Sequence, residues 1–228
     1  MAKTVKQTLM TGLGDGYFQR MITEETETVA PIYDDETGTE VVPSLQSAET
    51  EMTYESSPLF LSNKKHSDLG KVSDLTITLN AAYLPEGFAE WSTGAVKLAE
   101  GVYGYNSNPI RKFFRFAFPM TDENGREVIV NVPKCQLEPV GLNPSTETES
   151  KEAQVTAYNV VGNALVYRPS IADSDDDVNN SIYVKADLRK PEVAALYDRD
   201  KLLEVGFYDK ASLDACRVTP ENPVDPEV

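Results

Sequence analysis

The chain is short of the residues from which catalytic and metal centres are most often built. One histidine, His66, stands among 228 residues, and only two cysteines, Cys135 and Cys216, accompany it. A histidine-based triad would have to run through His66, which lies in the polar stretch SNKKHSD with no periodicity to fix its orientation. It reads as a solvated loop residue. Two thiols cannot form a disulfide scaffold and are too few for a cysteine-only zinc site, so both read as structural. Cations are scarce as well: 21 lysines and arginines face 37 aspartates and glutamates, a formal charge of −16. That balance argues against static capture of nucleic acid, which rests on clustered positive charge. Long apolar runs are also missing. Nothing approaches the roughly 18 to 20 residues of a membrane span, and residues 1–10 lack the apolar centre of a secretion signal. The expectation is a cytoplasmic origin without a membrane partner.

What is present suits a globular protein with a real core, at 40% hydrophobic and 25% charged residues. The clearest strand is DLTITLNA, where Leu75, Ile77, Leu79 and Ala81 alternate with Asp74, Thr76, Thr78 and Asn80. A second runs from Arg111 to Pro119 with Phe114, Phe116 and Phe118 on one face, and the Asn124-Gly125 pair predicts a tight hairpin into REVIVNV. Between them, Phe88, Trp91, Ala95 and Leu98 recur at spacings of three and four and predict an amphipathic helix over Pro85 to Ala99. The predicted core is therefore Leu75, Ile77, Leu79, Phe88, Trp91, Phe114, Phe116 and Phe118. Asp35 to Gly38 reads as a hairpin tip, Pro58 to Gly70 as a long loop, Lys134 to Val140 as a short strand, and Ala153 to Leu165 as a later strand. Residues 1–170 form the main body with an N-terminal arm. Residues 171–228 form an extension with an acidic linker, a strand over Ser181 to Leu188, a helix over Pro191 to Leu203 and a fraying end.

Three motifs with chemical overtones dissolve on inspection. Gly12-Leu13-Gly14-Asp15-Gly16 has Tyr17 where a dinucleotide loop needs its third glycine, and no strand precedes it. Asp173, Asp175 and Asp177 share the first ligand spacings of a calcium-binding loop, but Val178 and Val184 occupy the glycine and glutamate positions. The Phe113 to Phe118 run beside Arg111, Lys112 and Arg115 has the composition of a base-stacking platform, yet the acidity of the chain favours core aromatics. No catalytic residue, cofactor or metal is assigned.

The order of elements from about Gly12 to Pro169 resembles the major tail (tail tube) proteins of long-tailed bacteriophages. The resemblance is carried by the glycine-rich arm, the strand DLTITLNAAYLP after a polar loop, the segment around Trp91, the hairpin FFRFAFPMTDENGRE, and the stretch NVPKCQLEPVGLNPSTETESKEAQVTAYNVVGNAL. It implies a mainly β, sandwich- or barrel-like subunit with one flanking helix and a small α/β C-terminal extension. Six such subunits would close a ring, and stacked rings would form the conduit for DNA ejection. Implied partners are further copies of the chain, the tape-measure, tail-terminator and distal tail proteins, and double-stranded DNA in passage without specific binding. The implied location is the virion tail, after assembly in the host cytoplasm.

On that reading Asp74, Thr76, Thr78 and Asn80 face the lumen, because Leu75, Ile77 and Leu79 must pack inward. Leu9 and Leu13 of the arm and Leu59, Phe60 and Leu61 of the PLFL segment are the expected subunit contacts. The alternatives are a tube subunit of a secretion or bacteriocin-like machine, a tail terminator, or a monomeric sugar-binding β-sandwich.

Overall fold

A computed structural model describes residues 8–56, 58–61, 64–68, 71–141, 154–167 and 181–219, with backbone alone for 58–61, 64–68, 71 and 73. The fold is mainly β. Strands β1 (Met10–Leu13), β2 (Gly16–Thr23), β3 (Ile32–Tyr33), β4 (Glu40–Val42) and β5 (Leu45–Glu55) come first, followed by β6 (Pro58–Leu61), β7 (Lys64–Asp68) and β8 (Lys71–Ala81). Helix α1 (Phe88–Ser92), the short pair β9 (Val96–Ala99) and β10 (Val102–Gly104), and the long strands β11 (Phe113–Asp122) and β12 (Glu127–Leu137) form the middle. Then come β13 (Thr156–Gly162), β14 (Val184–Asp187), α2 (Pro191–Leu196), α3 (Arg199–Glu204) and α4 (Lys210–Ala215). No helix among the described residues is long and apolar enough to cross a membrane.

The main sheet runs β3-β2-β11-β12-β13-β8-β5, with β4 beside β2, β1 beside β11 and β14 beside β12. All its described pairings are antiparallel. Its two flanks come together where the chain passes from β4 to β5, since Leu45 packs against Gly16. The sheet thus curls around one core. Alternation sends Phe114, Phe116 and Phe118 of β11 inward to meet Leu75, Ile77 and Leu79 of β8, all buried. Phe18, Phe88 and Phe114 stack at centroid distances of 5.0 to 6.1 Å, each such ring adding about 1.5–3 kcal/mol by leaving water.

A second core lies on the opposite face of β11 and β12. Ala117 and Ile129 point outward there and are covered by Ala186, Leu202, Leu203, Phe207 and Cys216. Residues 181–219 are therefore built into the fold: β14 extends the sheet from β12, and the C-terminal helices seal half of its outer face.

Several predicted elements differ. Helix α1 has five residues rather than fifteen, ending where Gly94 adopts φ +73 and passes so close to the Ile110 backbone that any Cβ would collide with it. Leu98, expected to continue the apolar face of that helix, lies instead in the β9-β10 hairpin and is 71% exposed. Pro58 to Gly70 is not a plain loop: β6 and β7 pair as a hairpin. Asp35 to Gly38 is no hairpin tip. Both β3 and β4 run beside β2, and the loop between them is an excursion held by Asp34, whose carboxylate accepts the Glu36 and Thr37 amides. Lys134 to Leu137 continues β12 after a register shift opposite Arg115. The predicted helix from Pro191 to Leu203 is two helices, because Tyr197 is extended and Asp198 caps a fresh start by accepting the Asp200 and Lys201 amides.

Candidate assembly surfaces

The outer face of the sheet is half covered and half open. Over β11 and β12 it is sealed by the C-terminal helices, and over β13, β8 and β5 it is polar. Register places Thr53, Glu51, Glu49 and Ser47 of β5 opposite Asp74, Thr76, Thr78 and Asn80 of β8, and Val161, Asn159 and Ala157 of β13 opposite the last three. Asp74 is exposed; Thr76, Thr78 and Asn80 are half-buried beside their neighbours, while Leu75, Ile77 and Leu79 are buried behind them. The face is tied by side-chain hydrogen bonds: Asn80 Nδ2 donates to Ser47 Oγ at 2.8 Å, Thr78 Oγ1 to Asn159 Oδ1 at 3.4 Å, and Asn159 Nδ2 to Glu138 Oε2 at 3.2 Å. It is a polar, acid-leaning surface with its hydroxyls and amides partly satisfied within the sheet.

Strand β5, 11 residues long, stands at the end of the sheet order among the described residues. Its second half, Glu49 to Glu55, is exposed on both faces, with Met52 at 45% and Tyr54 at 62%. Exposed apolar side chains on an end strand are the feature that makes a sheet edge prone to pairing or docking. The β6-β7 hairpin lies between β5 and β8 in the chain, beyond this exposed half.

The arm is not loose. Leu9 O accepts the Glu123 amide at 3.0 Å and β1 pairs with the end of β11. Leu9 itself is 69% exposed, whereas Leu13 leans on the core of its own subunit. The side chains of Leu59, Phe60, Leu61 and His66 lie outside the described residues, as do Asp173, Asp175 and Asp177. Trp91 packs on Phe88 at 5.7 Å and only partly enters the core, because Arg20 and Lys112 each lie 5.3 Å from its ring centroid. These cations border a hollow of about 600 Å³, also lined by Tyr103 and Ile110.

Arg115 is the functional-looking residue that sequence reasoning passed over. It is fully buried on the outer face of β11, donating to Gln19 at 3.1 Å, Asn131 at 3.3 Å, Thr39 at 3.1 Å and the carbonyls of Leu203 and Glu204 at 2.9 and 2.7 Å. Burial pushes its guanidinium down to about 10, still cationic at neutral pH. The sequence carried little signal of this: in FFRFAF an arginine alternating with phenylalanines reads as solvent-facing, and only Ala117 on the same side hints that this face is covered. Cys135 and Cys216 are buried, and desolvation pushes both thiols up and away from reactive thiolate. Among the described residues no cluster of three or more histidine, cysteine or acidic side chains has metal-binding geometry.

No family model and no curated protein matches the chain. Among solved structures it is similar to the anti-feeding prophage cap, a tube-terminating cap seen by cryo-electron microscopy, at 13% identity and a TM-score of 0.42. The match covers 70% of this chain and 91% of that one. A likeness at this level carries no functional argument, so function is argued from this chain's own surfaces.

Proposed function

We propose that the chain is a structural subunit that polymerises into stacked rings, the tail tube of a long-tailed bacteriophage, through which DNA leaves the capsid. The observation that carries this reading is the division of the outer sheet face. One half is sealed by the chain's own helices, while the other half is polar and bounded, among the described residues, by the end strand β5 with its exposed stretch from Glu49 to Glu55. A heterologous contact that closes makes a ring, and one that does not close makes a filament. The resemblance in element order supports the same assignment.

In the ring the face of Asp74, Thr76, Thr78 and Asn80 lines the lumen. Like charge keeps a passing polyanion from adhering within about 10 Å at moderate salt. Leu9 and the β6-β7 hairpin, which includes Leu59, Phe60 and Leu61, contact neighbouring subunits. The tape-measure, terminator and distal tail proteins meet the two ends of the tube. The role is structural, with no catalytic step and no cofactor.

Negative-stain electron microscopy of the purified protein across a concentration series tests this. Hollow rings or stacked tubes are expected, and dispersed particles up to the solubility limit would overturn it.

A further inference from the structure

The two flanks of the sheet carry opposite chemistry at the same height. Register runs without a break from Arg20 on β2 through Phe114, Cys135, Gly162 and Leu75 to Met52 on β5. At the β5 end of this rung the chain reads Glu49-Thr50-Glu51-Met52-Thr53-Tyr54-Glu55, three carboxylates and two exposed apolar side chains without a cation. At the β2 end lies the hollow beside Trp91, lined by Arg20, Lys97, Lys112 and Glu86; Lys97 is already paired with Glu100 at 2.7 Å, whereas the Lys112 ammonium lies over the Trp91 ring. Its rim includes Ile110, 84% exposed.

Arg20 is also incompletely bonded. Its Nε is buried without a hydrogen-bond partner, 3.5 Å from a Glu40 oxygen that is likewise unpartnered. A contact at that distance satisfies charge but not the directional demand of either group.

We infer that the Glu49 to Glu55 edge of one copy docks into the Trp91 hollow of the next. Met52 and Tyr54 cover Trp91 and Ile110, and a flanking carboxylate, Glu51, meets Lys112. A strand arriving edge-on presents both of its faces, so apolar and acidic side chains engage together. A second copy is the occupant because the chain carries both complementary halves. This inference rests on the self-assembly reading and specifies its lateral joint.

The test is a charge-reversal cycle on exposed positions, with folding checked by circular dichroism. Glu51→Lys and Lys112→Glu should each raise the concentration at which assembly begins by about tenfold or more, and the double variant should return it to within about threefold of the parent. A benzophenone amino acid in place of Met52 should crosslink to the segment 91–112 of another copy. Single variants that assemble normally, or crosslinks that map elsewhere within well-formed rings, overturn this joint and leave the tube reading standing. Crosslinks at 91–112 in small oligomers that never form rings would keep the joint and overturn the tube. A chain that stays monomeric throughout overturns both.

Discussion

Arg115 shows how one residue can join two parts of a fold. Its side chain crosses from the sheet to the end of α3 and supplies donors to the Leu203 and Glu204 carbonyls, groups that a helix leaves open at its C-terminus. Gly206 sits against this guanidinium at φ +79, so a methyl group there would strike Arg115 and strain the backbone as well. Arg115→Met keeps the volume but strands the Leu203 carbonyl, Gln19 Oε1 and Asn131 Oδ1, while Glu204 O keeps Thr39, and it should cost about 3 kcal/mol or more in urea unfolding. Arg115→Lys should recover only part, because a point charge cannot reproduce a planar fork with partners in three directions. If Arg115→Met unfolds like the parent, the C-terminal helices are held by their apolar contacts and by the remaining ties, Asn131 to Phe207 O, Thr39 to Glu204 O and Arg199 to Glu127.

Among the elements, the β11-β12 hairpin is the best place to see turn chemistry set register. Asp122 Oδ1 accepts the amides of Asn124 and Arg126 at 2.8 and 2.9 Å, which fixes the Asn-Gly turn and aligns Phe118 with Val130. Burial alone would raise this carboxyl, but those backbone donors outweigh it and hold it below the ordinary aspartate range. A depressed folded-state value contributes stability that is full above the unfolded value, near pH 4, and fades as the pH falls through it. Asp122→Asn keeps an acceptor oxygen but removes the titration, so its denaturant midpoint should fall less steeply between pH 4 and pH 2 than that of the parent; equal slopes would show that Asp122 plays no part. This turn was legible because Asn-Gly acts locally. So were the strands with strict alternation, as Leu75, Ile77 and Leu79 show. What sequence missed were elements decided by tertiary contact: Leu98 continues a helical spacing, yet Gly94 must pass the Ile110 backbone, and the chain turns into β9 instead. The break at Asp198 was locally signalled, but the apolar periodicity of PEVAALYDRDKLL masked it. The Trp91 hollow was illegible because Arg20 and Lys112 meet only when β2 and the start of β11 come together.

At the scale of the whole molecule, the lumen assignment can be separated from ring formation through the chain's own thiols. Both native cysteines are buried with raised pKa values, so neither should compete for a maleimide. A cysteine in place of Thr78 should react with small and polymeric maleimides in the free subunit. In assembled tubes it should react with the small reagent alone, because a lumen admits a small molecule and excludes a bulky chain. Equal protection from both reagents would place Thr78 in a subunit joint, and equal reactivity would place it outside.

The second whole-molecule prediction concerns why such a lumen would be acid-leaning. Thr76→Lys with Thr78→Lys places two new cations per subunit around every ring without touching the buried Leu75, Ile77 and Leu79. Affinity for duplex DNA then rises with the number of phosphates neutralised, and its logarithm falls with the logarithm of salt at about −0.9 per contact. Variant tubes should retain duplex DNA at about 50 mM salt and release it by about 200 mM, while parent tubes retain none at either. Sedimenting tubes with labelled duplex measures this. Parent tubes that hold DNA at low salt would mean that the polar face captures its cargo instead of letting it slide, and the net charge of −16 would need a role other than repulsion.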